Sequence, residues 1–181
     1  MTQIVQILDN YAKLRRYCDS FFTAVQQRYP GDMACKKGCF ACCELHSVCA
    51  IEAHALAFYL KRRAVPSRKK RSDRSKCALC VNGNCAAYPA RPVICRSHGL
   101  PLLLDKGKTV ASSCDLNFSR RDPASLPASR VFDTAAITGN LVRLNMAFCM
   151  AAGITELASR RFTMAAVLAG ELPEIILKSN P

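Results

Sequence analysis

The sequence predicts a mainly α-helical fold in which helices flank an irregular, cysteine-rich, metal-binding middle, with little or no sheet. Three features predict it. Apolar residues recur at helical spacing near both ends of the chain, two dense cysteine segments lie between them, and Pro and Gly interrupt the second of those segments. The 181 residues, 50% of them hydrophobic, are enough to bury a core and suit a single domain over 1–181. Within it the expected parts are a helical stretch 1–30, a cysteine cluster 35–114 containing a basic connector 61–76, and C-terminal helices over 129–170.

Thr2 to Arg28 reads as the first helix. Ile4, Val5, Leu8, Tyr11, Ala12, Leu14, Tyr17, Cys18, Phe21, Phe22 and Val25 form one broad apolar face, and Pro30 and Gly31 end it. Cys18 lies in that stripe and reads as a small buried hydrophobe. A second helix is expected from about Glu44 to Arg63, with Val48, Ile51, Ala55, Leu56, Phe58, Tyr59 and Leu60 inward. From Cys77 to Leu103, Pro89, Pro92 and Pro101 exclude a long helix, and Asn82-Gly83-Asn84 marks a tight turn inside an irregular region with at most a short strand or hairpin. Ser119 to Pro127 is a polar connector. Arg130 to Met150 reads as a third helix, and Thr155 to Leu168 as a last one closed by Gly170, leaving a loosely held tail from Glu171. Cys149, on an apolar face, reads as packing.

The chemistry is concentrated at Cys35 to Cys43, where four of nine residues are thiols. If the chain is helical from Cys39, then Cys42 and Cys43 fall at i+3 and i+4 on the face of Cys39, and Gly38 permits the turn that returns Cys35 to it. A helix start favours thiolate, and thiolates so close repel one another. A soft cation among them removes the repulsion, which makes metal the favoured reading over a small-residue cluster or a set of disulfides. His46 and Cys49 lie one turn or more further on, as a hydrogen-bonding neighbour or a ligand. His54 reads as a surface or core residue. In the second segment, a metal joining Cys77, Cys85 and Cys95 would pin the long irregular loop, with Cys114 arriving as a fourth thiol on a separate turn after Lys106-Gly107-Lys108.

Composition bounds the alternatives. Twelve cysteines in a chain too long to need disulfide staples, with no basic, apolar leader over Met1 to Asn10, fit a soluble protein of a reducing compartment, the cytoplasm. No apolar run reaches membrane-span length, Met146 to Ile154 being the longest candidate. The formal charge of +13 counts the cysteines as neutral; eight thiolates around two divalent ions would lower it by four. Lys61 to Lys76 carries nine Lys or Arg against Asp73 alone. It reads as a solvated connector, or as a footprint for nucleic acid that lacks any aromatic platform for base stacking. The sequence has no dinucleotide-binding glycine motif, no phosphate loop and no paired carboxylates at useful spacing. Cysteine–histidine catalysis through His46 or His98 is the weakest reading.

Two blocks of residues carry a resemblance. Cys35-x3-Cys39-x2-Cys42-Cys43 resembles the leading motif of the CxxCxxCC-type cysteine-cluster family, described as zinc- or iron-chelating domains. The second block is more specific: Cys77-Ala78-Leu79-Cys80, Gly83, Cys85-Ala86-Ala87-Tyr88, Arg91-Pro92 and Cys95-Arg96 resemble the family's cysteine, glycine-turn, Cys-x-x-Tyr, Arg-Pro and Cys-Arg order. Ala78 stands where the family has proline, and Cys80 where it has an apolar residue, although Cys77-x2-Cys80 is zinc spacing in its own right.

The resemblance implies eight metal ligands, Cys35, Cys39, Cys42, Cys43, Cys77, Cys85, Cys95 and Cys114. They would hold zinc, slightly preferred, or iron in an iron–sulfur cluster. Arg91 and Arg96 would offset thiolate charge, and Tyr88 would pack beside the metal loop. The function implied is a non-catalytic metal-binding module of unspecified cellular role. The alternatives are a cluster-dependent enzyme, since the module also looks like the cysteine-rich part of flagellin lysine methylases, and a zinc-stabilised nucleic-acid binder acting through Lys61 to Lys76.

Overall fold

The computed structural model describes residues 2–36, 38–65, 76–104, 109–112 and 114–178. Most of the basic connector, 66–75, lies outside them, as do 105–108 with the Lys106-Gly107-Lys108 turn. Among the described residues the fold is mainly helical, with three small sheets. Two compact units emerge: Met1–Tyr11 with Gly38–Pro92 and Arg143–Pro181, and Ala12–Lys37 with Val93–Val142.

The first helix, α1 (Gln3–Arg28), matches its apolar periodicity. It buries Ile7, Tyr11, Leu14, Cys18 and Val25, a seam at steps of four, three, four and seven residues, while Tyr17 turns outward.

In the first unit, the stretch after Cys39 is not helical. Residues 39–49 form a turn and an extended segment holding β1 (Ser47–Val48), and α2 (Ala50–Arg62) begins six residues later than the apolar pattern predicts. Its start is set from far along the chain. The side chain of Asn145, on α4 (Thr134–Ala151), accepts the Ile51 backbone N–H at 3.1 Å and donates to Ala158 O at 2.8 Å. β1 pairs antiparallel with β7 (Phe162–Thr163), and Arg161 Nη2 donates to Ser47 O at 2.7 Å.

The predicted last helix is therefore broken into a short 3₁₀ turn at Thr155–Leu157, the strand β7, and α5 (Met164–Ala169), which Gly170 ends in a left-handed conformation. The tail from Glu171 is not loose: it carries α6 (Glu174–Lys178), and the Ile176 side chain is fully buried. Ile176 O faces His54 Nδ1 at 2.6 Å; a carbonyl can only accept, so the proton sits on Nδ1. Phe148 and Phe58 flank the buried imidazole, and burial holds its pKa below the usual histidine value.

The second unit packs the remainder of α1 with a three-stranded sheet of order β5-β4-β6: β4 (Pro101–Leu104) lies antiparallel to β5 (Thr109–Ser112) and parallel to β6 (Phe132–Asp133). Phe132 is buried edge-on to Phe21. A short helix, α3 (Val93–Ser97), carries Cys95 and the buried Arg96, whose guanidinium pairs with Asp19 of α1.

The third helix, α4, starts at Thr134 rather than Arg130, because Phe132 and Asp133 are taken by the sheet. It buries Ile137, Phe148 and Cys149 but leaves Val142, Met146 and Met150 exposed. Apolar residues occur all round this helix, so its pattern alone does not select a face. Among the described residues no helix is long and apolar enough to cross a membrane.

Candidate metal centre

The eight predicted ligand positions divide between the units. Cys39, Cys42, Cys43, Cys77 and Cys85 belong to the first, and Cys35, Cys95 and Cys114 to the second. None of the twelve cysteines is in a disulfide.

In the first unit the two thiol-bearing stretches meet through their backbones. Cys77 N–H donates to Cys43 O at 2.6 Å, and Lys76 Nζ donates to Ala41 O at 3.0 Å and to the Glu44 carboxylate at 2.9 Å. The leading loop is tightened by Cys43 N–H to Phe40 O and Glu44 N–H to Cys42 O, bonds that replace the helical ladder expected there. Cys80 N–H returns to Cys77 O at 2.9 Å, and the chain enters a hairpin of β2 (Cys80–Val81) and β3 (Asn84–Cys85). Its two-residue turn has Asn82 and Gly83 both at positive φ, 50° and 73°, the geometry that a tight hairpin requires. The Phe40 ring lies over Gly83 so closely that a β-carbon there would sit 3.0 Å from it.

This folding surrounds one sulfur with others. The Cys43 thiol is pushed up to about 12, first by burial and then by the neighbouring Cys80, Cys42, Cys85 and Cys77. Each neighbour disfavours a second negative charge at Cys43, so the group resists ionisation unless a cation compensates it. Cys85 is raised by burial too, but its sulfur also accepts a hydrogen bond from the Ala87 backbone and lies near Arg91, both of which favour thiolate. Arg91 stacks on Tyr88, its Cζ 3.7 Å from the ring centre, so the tyrosine braces the arginine beside Cys85.

The second unit collects its thiols around a residue that motif reading passes over. Asn117, almost fully buried, accepts Ala34 N–H at 2.8 Å on its side-chain oxygen and donates from Nδ2 to Gly99 O at 2.7 Å and to Cys35 Sγ at 3.1 Å. Its own N–H bonds to Cys114 O. Asn117 thus ties together the segment with Cys35, the turn after the Cys95 helix and the turn with Cys114. Position 117 carries no local signal beyond lying three residues after Cys114.

Other candidates have contacts of their own. Cys49 is buried at the start of α2 and donates to Glu52 Oε2 at 3.5 Å; burial and that carboxylate push it up to about 12. His46 lies in the extended segment, and its carbonyl accepts Met164 N–H. Arg96, expected to offset thiolate charge, has Asp19 as an ionic partner.

Among the described residues no three Cys, His, Asp or Glu side chains stand ready-converged in a metal-coordinating array. The donor set nevertheless fits a soft cation. Cys42, Cys77, Cys80 and Cys85 all act electrostatically on Cys43, the Ala87 N–H and Arg91 oppose the burial that raises Cys85, and thiolate sulfur is the ligand that zinc and iron–sulfur clusters take. No family model matches the chain, and no curated protein and no solved structure matches it either.

Proposed function

We propose that the protein is a metal-binding cysteine-cluster protein of the CxxCxxCC type, carrying zinc in preference to iron or an iron–sulfur cluster, and acting as a non-catalytic module in the cytoplasm. The observation that carries this reading is the surroundings of Cys43. Four other thiols, three of them from a stretch more than thirty residues away, are near enough to oppose its ionisation. Without a cation such neighbours hold the thiol neutral; a soft cation among them would favour thiolate and remove the repulsion between thiolates. The eight family-type positions are the proposed ligands, five in the first unit and three in the second. Twelve cysteines in a chain too long to need disulfide staples support a reducing compartment.

Anaerobic purification followed by elemental analysis and absorption spectroscopy tests the proposal. Stoichiometric zinc in a colourless protein supports it. A broad visible band with bound iron would move the assignment to an iron–sulfur cluster and favour the enzymatic alternative. A preparation that contains no metal and takes up none on anaerobic titration would refute it.

A further inference from the structure

Cys80 stands outside the CxxCxxCC pattern, yet the hairpin gives it a ligand's position. The register pairs Val81 with Asn84 across the two-residue turn, then Cys80 with Cys85; the next rung outward is closed by Ala86 N–H to Leu79 O at 2.8 Å. Hydrogen-bonded and non-hydrogen-bonded rungs alternate in an antiparallel pair, so Cys80 and Cys85 form a non-hydrogen-bonded rung. Their β-carbons then lie on the same face, about 4.5–5.5 Å apart. Tetrahedral zinc with bonds of about 2.3 Å sets its sulfurs about 3.8 Å from one another, which two such side chains can span by χ1 rotation. The backbones that carry the other two thiols are also held close. Cys77 is three residues before Cys80, across a turn closed at 2.9 Å, and the backbone of Cys43 is bonded to that of Cys77 at 2.6 Å.

We infer that Cys80 is a metal ligand that acts with Cys43, Cys77 and Cys85 in the first unit, the four side chains converging on the ion as it binds. The inference rests on the metal-binding reading and adds to it a ligand that the resemblance omits. The functional consequence is local: this site is complete without Cys35, Cys95 or Cys114.

The test is cobalt substitution of the full chain under anaerobic conditions. Sulfur-to-cobalt charge-transfer intensity scales with the number of bound thiolates, so Cys80→Ser should lower the intensity of this site by about one quarter relative to the unaltered chain. Cys80→His, which keeps a ligand, should retain the metal stoichiometry and shift the visible bands to shorter wavelength as one sulfur is exchanged for nitrogen. Should the serine variant fail to fold, the histidine variant decides alone. Spectra of both variants identical to the parent, with full cobalt loading, would overturn the assignment of Cys80 and leave the metal-binding proposal intact. Failure of the unaltered chain itself to take up cobalt would instead remove the proposal on which the inference stands.

Discussion

Gly99→Ala is expected to be among the most damaging single-methyl changes in the molecule. Gly99 has φ +89°, a conformation that an L-residue adopts only with strain of about 1–2 kcal/mol. The added β-carbon would also lie 2.6 Å from Asn117 Nδ2 and 2.8 Å from Cys35 Sγ, below any normal contact. The Asn117 amide cannot retreat freely, because it is buried and its oxygen holds Ala34 N–H. Displacing it breaks the bonds to Gly99 O and Cys35 and leaves buried polar groups unsatisfied, which costs about 1–3 kcal/mol. The two contributions give a loss of about 2–5 kcal/mol, to be read from urea unfolding followed by far-ultraviolet circular dichroism. A double-mutant cycle isolates the amide: in an Asn117→Ala background the collision with Nδ2 is gone, so the second substitution should cost about 1–3 kcal/mol less than it does alone. Gly99→Ala within about 0.5 kcal/mol of the parent, or strictly additive with Asn117→Ala, would refute the reasoning.

Three further outcomes follow from the packing. His54 has a folded-state pKa below its unfolded value, so its contribution to stability is complete above the ordinary histidine pKa of about 6.5 and is lost as pH falls below it. The parent should lose stability there by at most about 1.4 kcal/mol per pH unit more than His54→Gln does, and parallel pH profiles of the two would contradict this. Asn145→Ala strands the Ile51 N–H and the Ala158 carbonyl, and should cost about 2–3 kcal/mol in urea unfolding, with early loss of amide exchange protection at the start of α2. Gly83→Ala meets both a positive φ and the Phe40 ring, and should cost about 1–2 kcal/mol, partly relieved when Phe40 is also changed to Ala.

Some of this architecture was legible from local pattern and some could not have been. The first helix is legible because its apolar seam persists through Ile7, Tyr11, Leu14, Cys18 and Val25, and the hairpin because Asn82-Gly83 is turn chemistry in itself. The start of α2 is not, because the group that receives Ile51 N–H lies 94 residues away on Asn145. The same holds for residues 39–49. Their spacing suits a helix, but the Cys43 carbonyl is taken by Cys77, a partner that no window around Cys43 contains. At the candidate site sulfur density marked the thiol-bearing stretches, whereas Asn117 was invisible because its partners, Ala34, Cys35 and Gly99, are remote in sequence.

The Asn117 junction also has a consequence in time. Cys35 leaves the ribosome 82 residues before the amide that will donate to its sulfur. At about 5–20 residues per second, that separation is roughly 4–16 s of synthesis. During that interval the nascent thiol meets whatever oxidants and metal ions surround the growing chain. Slowing translation between the two positions should therefore raise the fraction of newly made protein oxidised at Cys35, without any change in the finished molecule.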